Sequence, residues 1–142
     1  MTSPLAFITG LGRPNGIAHA IALRLASEGW DIAYTHWSTY DARLGLGASS
    51  AHEISEEIRA TGRRVLALEG DLADPATPER LLAEANATLG PVSALVLSHS
   101  ESVDSTILDT TIESFDRHFA VNVRAAWLLH TAALGLGRQT RP

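Results

Sequence analysis

Three glycines after the first apolar segment are the residues best suited to chemistry in this sequence. Gly10, Gly12 and Gly16 follow the run Leu5–Thr9, and a helix-like repeat of apolar residues begins at Ile17. The first N–H groups of a helix attract anions, and glycine lets the backbone come close to a diphosphate. The spacing therefore predicts a diphosphate-binding turn, one residue longer than the G-x-G-x-x-G pattern. A tight strand-to-helix turn without a ligand is the alternative interpretation.

The other reactive side chains form no recognisable catalytic or metal-binding pattern. The sequence has no cysteine, which excludes thiol nucleophiles and zinc–thiolate sites. Its histidines are dispersed, so no metal site is predicted. The run Ser98-His99-Ser100 with Asp104 resembles a hydrolase triad only superficially, because adjacent residues do not easily reach the geometry of a nucleophile and its base.

Length and composition indicate a single globular domain. The 142 residues are 45% hydrophobic and 19% charged, which is typical of a folded chain. The formal net charge of −5 argues against a nucleic-acid partner. No run approaches the roughly 18–20 uninterrupted apolar residues of a membrane helix, and the first residues lack the basic segment of a signal peptide. We expect a cytoplasmic protein.

Apolar runs and helix-like repeats alternate along the chain. Strands are predicted at Leu5–Thr9, Asp31–Thr35, Val65–Leu68 and Val92–Leu97. Helices are predicted between Gly16 and Gly29, from Ser50 to Gly62, from Thr77 to Gly90 and from Thr110 to about Leu134, with a loop from His36 to Ser49. The order β-α-β-α-β-α-β-α predicts an α/β fold with a parallel sheet and helices on both faces.

Three of the predicted helices begin with recognisable signals. Ser50 and Glu53 have the spacing of a capping box, and so do Thr110 and Glu113. The pair Thr77-Pro78 predicts a helix with proline at its first position.

Several segments, in the same order, resemble the short-chain dehydrogenase/reductase family. The stretch from Thr9 to Ala18 is similar to the family's nucleotide loop, and its spacing looks most like the branch that contains enoyl-acyl-carrier-protein reductases. Gly70-Asp71-Leu72 is similar to the family's adenine-binding pair, and Phe119–Val123 to the segment with its structural and catalytic asparagine. The resemblance covers about residues 4 to 130. It implies a Rossmann-like three-layer fold, strand order 3-2-1-4, truncated after the fourth βα unit.

The resemblance also assigns roles to individual residues. A nicotinamide dinucleotide would be the cofactor, and Asn122 would belong to the catalytic set. The implied cofactor-binding residues are Gly10, Gly12, Arg13, Gly16, Ile17, His36, Asp71, Leu72, Ser98 and His99.

Two departures from the family pattern concern the chemistry. Leu97-Ser98-His99-Ser100 stands where the family usually has Asn-Asn-Ala-Gly, so the glycine that lets the backbone approach the cofactor is missing. The family's catalytic tyrosine and lysine have no counterpart, because the sequence has no lysine and its tyrosines are Tyr34 and Tyr40. A tyrosine without a cationic neighbour is a poor base at neutral pH. We therefore expect this chain to be inactive alone.

The cofactor preference is predicted from the residues after the second strand. A site for NAD places an acid about 20 residues beyond the glycine loop, where this sequence has Thr35-His36-Trp37-Ser38. Arg13 and Arg43 suit a 2′-phosphate better, because arginine binds phosphate through two hydrogen bonds. NADP is therefore predicted over NAD. The alternative is that both arginines are solvated loop charges.

The last helix and the fourth strand predict self-association. Apolar residues cover one face of this helix, namely Phe115, Phe119, Val123, Ala126 and Trp127, and Val121, Leu128 and Ala132 extend the apolar surface around it. Such a helix is buried or paired, and in the family the matching helix takes part in dimerisation. In the order 3-2-1-4 the fourth strand is an edge that another chain can pair with. The domain is expected to span residues 1–134, followed by a flexible tail at 135–142.

Three functions are therefore open. The first is the nucleotide-binding half of an oxidoreductase that transfers hydride to or from a carbonyl, an alcohol or an activated double bond. The second is a non-catalytic dinucleotide-binding or partner module. The third is a Rossmann-like domain without a ligand.

Overall fold

Four parallel strands form the sheet in the computed structural model, which describes residues 2–43 and 50–139, with side chains up to residue 136. The strands are β1 (Leu5–Thr9), β2 (Asp31–His36), β3 (Val65–Glu69) and β4 (Val92–Leu97). They are ordered β3-β2-β1-β4, and every neighbouring pair is parallel. The predicted fold class and strand order are confirmed.

The central position of β1 follows from its continuous apolar sequence. All five of its residues are buried, as expected for a parallel strand that is covered on both faces. Phe7 contributes to one core, with Leu81, Leu82 and Leu129. Ile8 contributes to a second core on the opposite face, with side chains of the helices that precede and follow β2. The molecule therefore has three layers.

Helices flank both faces of the sheet. They are α1 (Ile17–Ser27), α2 (Ser38–Arg43), α3 (Ala51–Ala60), α4 (Thr77–Leu89), α5 (Ile112–Phe119) and α6 (Ala125–Gln139). A π-helical turn, Ala120–Arg124, joins α5 to α6. The buried faces of α1 and α3 pack on one side of the sheet, and those of α4 and α6 pack on the other.

The short helix α2 is not predicted by the sequence pattern. It lies within the segment 36–49, which the sequence analysis assigns to a loop, while residues 44–49 lie outside the described residues. Its six residues are too few to show an apolar repeat. Tertiary contacts hold it instead, because the side chain of Asp41 is buried and Arg43 pairs with Glu101.

Two predicted helix caps are wrong, and Pro78 is the second residue of its helix rather than the predicted first. Thr111, rather than Thr110, caps α5, because its backbone is extended and its hydroxyl accepts a hydrogen bond from the N–H of Ser114 at 3.1 Å. Ser50 precedes α3 without a side-chain capping bond, since its backbone is not extended. The first residue of α4 is Thr77, which leaves Pro78 at the second position.

The last helix is longer than predicted. Val121, Ala125 and Leu129 form its buried face. The predicted end near Leu134 is wrong, since α6 continues to Gln139 and Leu136 packs against the core; residues 140–142 lie outside the described residues. By length and composition alone, the segment 112–136 would suffice to cross a membrane, although one of its faces packs against the sheet.

The ends of β1 and β4 meet at a very short backbone distance. Gly10 has a φ of +75°, and a Cβ built on it would lie 2.6 Å from the Cα of His99. The side chain of Thr9 reinforces this junction, because its hydroxyl accepts a hydrogen bond from the N–H of Ser98 at 3.1 Å. Only glycine fits position 10.

We predict that Gly10→Ala lowers the free energy of unfolding by about 2–4 kcal/mol, through backbone strain and overlap with His99. Gly62→Ala is the matched control, since Gly62 also has a positive φ (+82°) but nothing lies within 4 Å of its added Cβ. That control is expected to cost only about 1 kcal/mol. Urea denaturation measures both, and equal losses would contradict a specific role for the junction.

Candidate nucleotide-binding site

A cleft opens at the carboxyl ends of the four strands, where ligands bind in open α/β sheets. The glycine loop, the end of β2, the turn after β3 and the loop after β4 all contribute to its lining. Eight of the predicted binding residues line this cleft, namely Gly10, Gly12, Arg13, His36, Asp71, Leu72, Ser98 and His99. The fold therefore brings together residues that are up to 89 positions apart.

An adjoining hollow lies at the start of α1. It is lined by Gly16 and Ile17, and shares Gly10, Arg13 and Ser98 with the cleft. Gly16 precedes the helix without a side-chain capping bond, so the first N–H groups of α1 have no partner within the helix. A Cβ at Gly16 would meet nothing closer than 3.7 Å. This glycine therefore leaves room at the hollow and is not required by internal packing.

Gly12 has a different role from Gly16. A Cβ built on Gly12 would overlap the carboxylate of Asp41. Asp41 is buried, and its Oδ2 has no hydrogen-bond partner among the described residues. Burial raises the pKa of Asp41, and the charges of Arg13 and His36 partly oppose this. The glycine loop thus rests directly on an acidic side chain.

Both ring nitrogens of His99 are engaged within the protein. Nε2 lies 2.9 Å from the carbonyl of Val121 and Nδ1 lies 2.7 Å from the hydroxyl of Thr9. Because a carbonyl only accepts, Nε2 carries the proton. Burial lowers the pKa of His99, which favours the neutral ring with Nδ1 accepting from Thr9. His99 lines the cleft as a structural residue, and its ring nitrogens are not available to a ligand.

Asn122 lies beside the cleft rather than in its lining. Its Oδ1 accepts a hydrogen bond from the N–H of Glu101 at 2.8 Å, and its Nδ2 donates to the carbonyl of Glu101 at 2.9 Å. These two bonds fix the π-helical turn against the loop that follows β4. The side chain of Asn122 is therefore a structural clamp, and a catalytic role for this residue stays a prediction.

Three charged side chains, Asp71, Glu101 and Arg117, form one wall of the cleft. Arg117 donates to both carboxylate oxygens of Asp71, at 2.9 and 3.1 Å, and its Nε donates to Glu101 at 3.0 Å. Although burial opposes the charge on Arg117, the bonds and charges of Asp71 and Glu101 raise its pKa. Burial also disfavours the Asp71 carboxylate, but hydrogen bonds from Arg117 and from the Ala73 N–H hold its pKa below the usual range.

The predicted position of Arg43 in a loop is wrong. Arg43 lies in α2 and pairs with Glu101 at 3.1 Å, and Glu101 is almost completely buried. Its guanidinium also lies over the rings of Trp37, at 5.5 Å, and Tyr40, at 5.2 Å. Because these contacts occupy Arg43, Arg13 is the better candidate to meet a phosphate in the cleft.

The hydroxyl groups of both tyrosines form hydrogen bonds within the protein. Tyr34 is buried in β2, where its hydroxyl donates to the carbonyl of Ala51 and contacts Ser55; burial raises its pKa. The hydroxyl of Tyr40 accepts a hydrogen bond from the Ser102 N–H at 3.3 Å. Neither tyrosine has a lysine neighbour, since the sequence contains none.

Sequence reasoning does not find the charged residues that shape the cleft. Asp41, Glu101 and Arg117 carry no motif, because each acquires its role from a partner distant in sequence. A weak signal exists for Arg117, which lies in α5, just before the π-helical turn that contains Asn122.

The fold and the cleft define a Rossmann-type dinucleotide-binding architecture. A sequence model described as short chain dehydrogenase matches residues 4–139. The chain therefore belongs to the short-chain dehydrogenase/reductase family, as its motifs predict. The enoyl-acyl-carrier-protein reductase branch stays a prediction.

Three relatives illustrate the range of the family. A short-chain dehydrogenase/reductase (eriH) of Hericium erinaceus is 36% identical over 87% of this chain and 46% of its own length. An L-rhamnose 1-dehydrogenase (NAD(P)(+)) of a Sphingomonas species is 32% identical over 86% of this chain and 45% of its own. The structure of a blue fluorescent protein from a metagenomic library, in complex with NADPH, has a TM-score of 0.81 and 34% identity over 94% of this chain and 51% of its own. The chain thus spans about half the length of these relatives.

We predict that Arg117→Met lowers the free energy of unfolding by about 2–3 kcal/mol at pH 7, because it leaves Asp71 and buried Glu101 with fewer partners. Since the folded-state pKa of Asp71 is lowered, its contribution is present above the unfolded pKa of about 3.9. It is lost as the pH falls through the folded-state pKa. Urea denaturation at pH 7, 4 and 3 is the measurement.

Arg59→Met is the control for this charge change. Arg59 pairs with Glu56 at the surface, so its loss is expected to cost less than about 1 kcal/mol. A loss in Arg117→Met that stays constant at all three pH values would instead assign the effect to packing against Trp37, over whose ring the guanidinium lies.

Proposed function

We propose that this chain is the nucleotide-binding part of an NAD(P)-dependent oxidoreductase. The observation that carries the proposal is the shared cleft, because the glycine loop, the end of β2 and Asp71 all line it. The whole protein would transfer hydride between the dinucleotide and a carbonyl, an alcohol or an activated double bond. When bound, the nicotinamide supplies the hydride donor or acceptor.

The residues of this chain would bind and orient the dinucleotide. The glycine loop and the first N–H groups of α1 would hold the diphosphate, and the open space at Gly16 fits that role. Asp71 would accept a hydrogen bond from the adenine amino group beside Leu72. Ser98 would offer its hydroxyl near the nicotinamide ribose. Asn122 would act by fixing the loop after β4, through its two bonds to Glu101.

NADP is the cofactor we propose first, with NAD as the alternative. Arg13 supports a 2′-phosphate contact because it lines both the cleft and the adjoining hollow. The metagenomic relative whose structure contains NADPH is consistent with this assignment. The relative named for NAD(P)(+) use supports keeping both dinucleotides in the proposal.

The same residues favour a second candidate, a dinucleotide-binding module without catalysis of its own. The sequence contains no lysine, and Tyr34 is buried away from the cleft. We propose that hydride transfer needs side chains that this chain does not supply. Turnover of NADPH by this chain with a panel of carbonyl substrates, after purification to homogeneity, would contradict that view.

A cytoplasmic location remains part of the proposal.

We also propose that the chain self-associates through its last helix. A stripe formed by Phe115, Phe119, Val123 and Trp127 is exposed, each residue by more than half. The stripe borders a shallow groove that contains the small residue Ala120, which suits the close approach of a second helix. Strand β4 is an edge strand among the described residues, and it offers a second contact.

We predict that Phe119→Asp weakens self-association at least tenfold, because it places a charge in an apolar interface. Leu108→Asp is the control, since Leu108 is also exposed (94%) but lies outside the helix. Sedimentation velocity over a concentration series measures both. A folded wild-type monomer at high concentration would contradict the proposal.

We predict that the wild-type chain binds NADPH and that Gly16→Trp weakens binding at least tenfold, because the indole fills the hollow at the start of α1. Ala87→Trp adds the same side chain at an exposed position of α4 and should leave the affinity unchanged. Calorimetric titration is the measurement. Absence of heat with both NADPH and NADH would favour a domain without a ligand.

A further inference from the structure

A buried histidine of α1 is bonded to the glycine loop. His19 is 7% exposed, and its Nδ1 lies 3.1 Å from the backbone nitrogen of Asn15. Because a backbone N–H group only donates, Nδ1 accepts this hydrogen bond and carries no proton. Asn15 lines the hollow at the start of α1, whereas His19 does not. The histidine therefore supports the wall of the hollow from behind.

The backbone of Asn15 has a conformation that needs such support. Among the described residues, Asn15 is the one non-glycine residue with a positive φ, at +63°. Asparagine tolerates this left-handed region better than most residues, but the conformation costs free energy and persists only where the surrounding structure holds it. Gly16 follows directly and begins α1. The backbone at Asn15 therefore sets the direction in which the glycine loop enters the helix.

Glu57 of α3 binds the other nitrogen of the same ring. Its Oε2 lies 2.9 Å from Nε2 of His19. Since Nδ1 accepts from Asn15, the ring is neutral and Nε2 donates its proton to Glu57. The hydrogen bond of one ring nitrogen decides which tautomer the imidazole adopts, so Glu57 keeps Nδ1 free to accept. Two successive hydrogen bonds thus connect α3 to the glycine loop.

The two bonds of His19 have different consequences for the fold. The bond to Glu57 ties α1 to α3 and would serve helix packing by itself. The bond to Asn15 joins residues only four positions apart, at the boundary of the loop and its own helix. It adds nothing to the contact between the helices. Its effect is confined to the loop that forms the hollow.

We infer that His19 is a positioning residue for the diphosphate turn, because its Nδ1 holds Asn15 in the left-handed conformation in which Gly16 begins α1 at the hollow. This inference rests on the proposed function, since the hollow is where the diphosphate would bind. His19 acts through Asn15 and touches no ligand. Loss of the acceptor at Nδ1 is expected to weaken dinucleotide binding about tenfold, near the upper end of what one hydrogen bond contributes.

Three substitutions of His19 separate the loop bond from helix packing. His19→Asn keeps an acceptor for Asn15, because the Oδ1 of asparagine lies near the position of Nδ1. His19→Gln places its amide near the position of Nε2, beside Glu57, and His19→Leu keeps neither group. We expect the dissociation constant of NADPH, measured by calorimetry, to stay within about threefold of the wild-type value in His19→Asn. It should rise about tenfold in the other two variants.

His52→Leu is the matched control, since it removes an exposed histidine of α3 and should leave the affinity unchanged. Hydrogen exchange of the Asn15 amide, followed by NMR, is a second measurement that needs no ligand. This exchange should become faster in His19→Leu and His19→Gln but not in His19→Asn. Circular dichroism confirms that each variant is folded. If the leucine variant does not fold, the comparison of His19→Asn with His19→Gln is decisive.

The order of the variants distinguishes the possible roles of His19. If the folded variants all lose affinity equally, or if His19→Gln binds NADPH better than His19→Asn, His19 serves helix packing and the inference is overturned. Unchanged affinity in all of them would overturn it as well. In each of these cases the wild-type chain still binds NADPH, so the proposed function stands. If the wild-type chain binds neither NADPH nor NADH, the proposed function fails, and the inference fails with it.

Discussion

The close approach of two backbone segments at Gly10 and His99 is the constraint on which the cleft depends. Because no side chain fits between them, the end of β1 is held against the loop that follows β4. His99 extends this junction to the last helix through its bond to the Val121 carbonyl, and the bond to Thr9 anchors it to β1. The floor of the cleft is therefore one connected network of hydrogen bonds, rather than three separate loops.

This junction also explains how the chain accommodates a histidine after the fourth strand, where the family pattern has an alanine. The family places Asn-Asn-Ala-Gly there, whereas this chain has Leu97 through Ser100. The side chain of His99 is directed into the protein, where a buried neutral ring satisfies one carbonyl and one hydroxyl. Ser98 and Ser100 remain as the small residues of this loop that line the cleft.

The sequence is sufficient to predict the fold because the information for it is local. The apolar run of β1 and the apolar repeats of the long helices are visible in consecutive residues. The alternation of strands and helices then predicts a parallel sheet. Helix α2 has no apolar repeat in its sequence. Its six residues are held by the pairing of Arg43 with Glu101 and by the burial of Asp41. The π-helical turn likewise depends on Asn122 meeting a loop 21 residues earlier.

The difference between local patterns and contacts of distant residues also decides which parts of the candidate site the sequence predicts. Glycines between a strand and a helix form a motif within a few consecutive residues, so the loop from Gly10 to Gly16 is identifiable from sequence. The partners of the charged residues are not, because pairing across the sheet depends on tertiary structure. Arg117 is an example, since its contacts with Asp71 and Glu101 span 46 and 16 residues.

Because of these ion pairs, the net charge of the chain does not indicate the charge of the ligand that the cleft would bind. The chain carries a formal charge of −5, yet the proposed ligand is an anion. The arginines of the cleft do not supply the attraction for an anion alone, because Arg117 and Arg43 are compensated by buried or half-buried acids and the charge of Arg13 interacts with that of Asp41. Affinity for a diphosphate must then come chiefly from backbone N–H groups, whose dipoles these carboxylates do not neutralise. In the proposed function, a cleft built in this way would bind the part of a dinucleotide that NAD and NADP share.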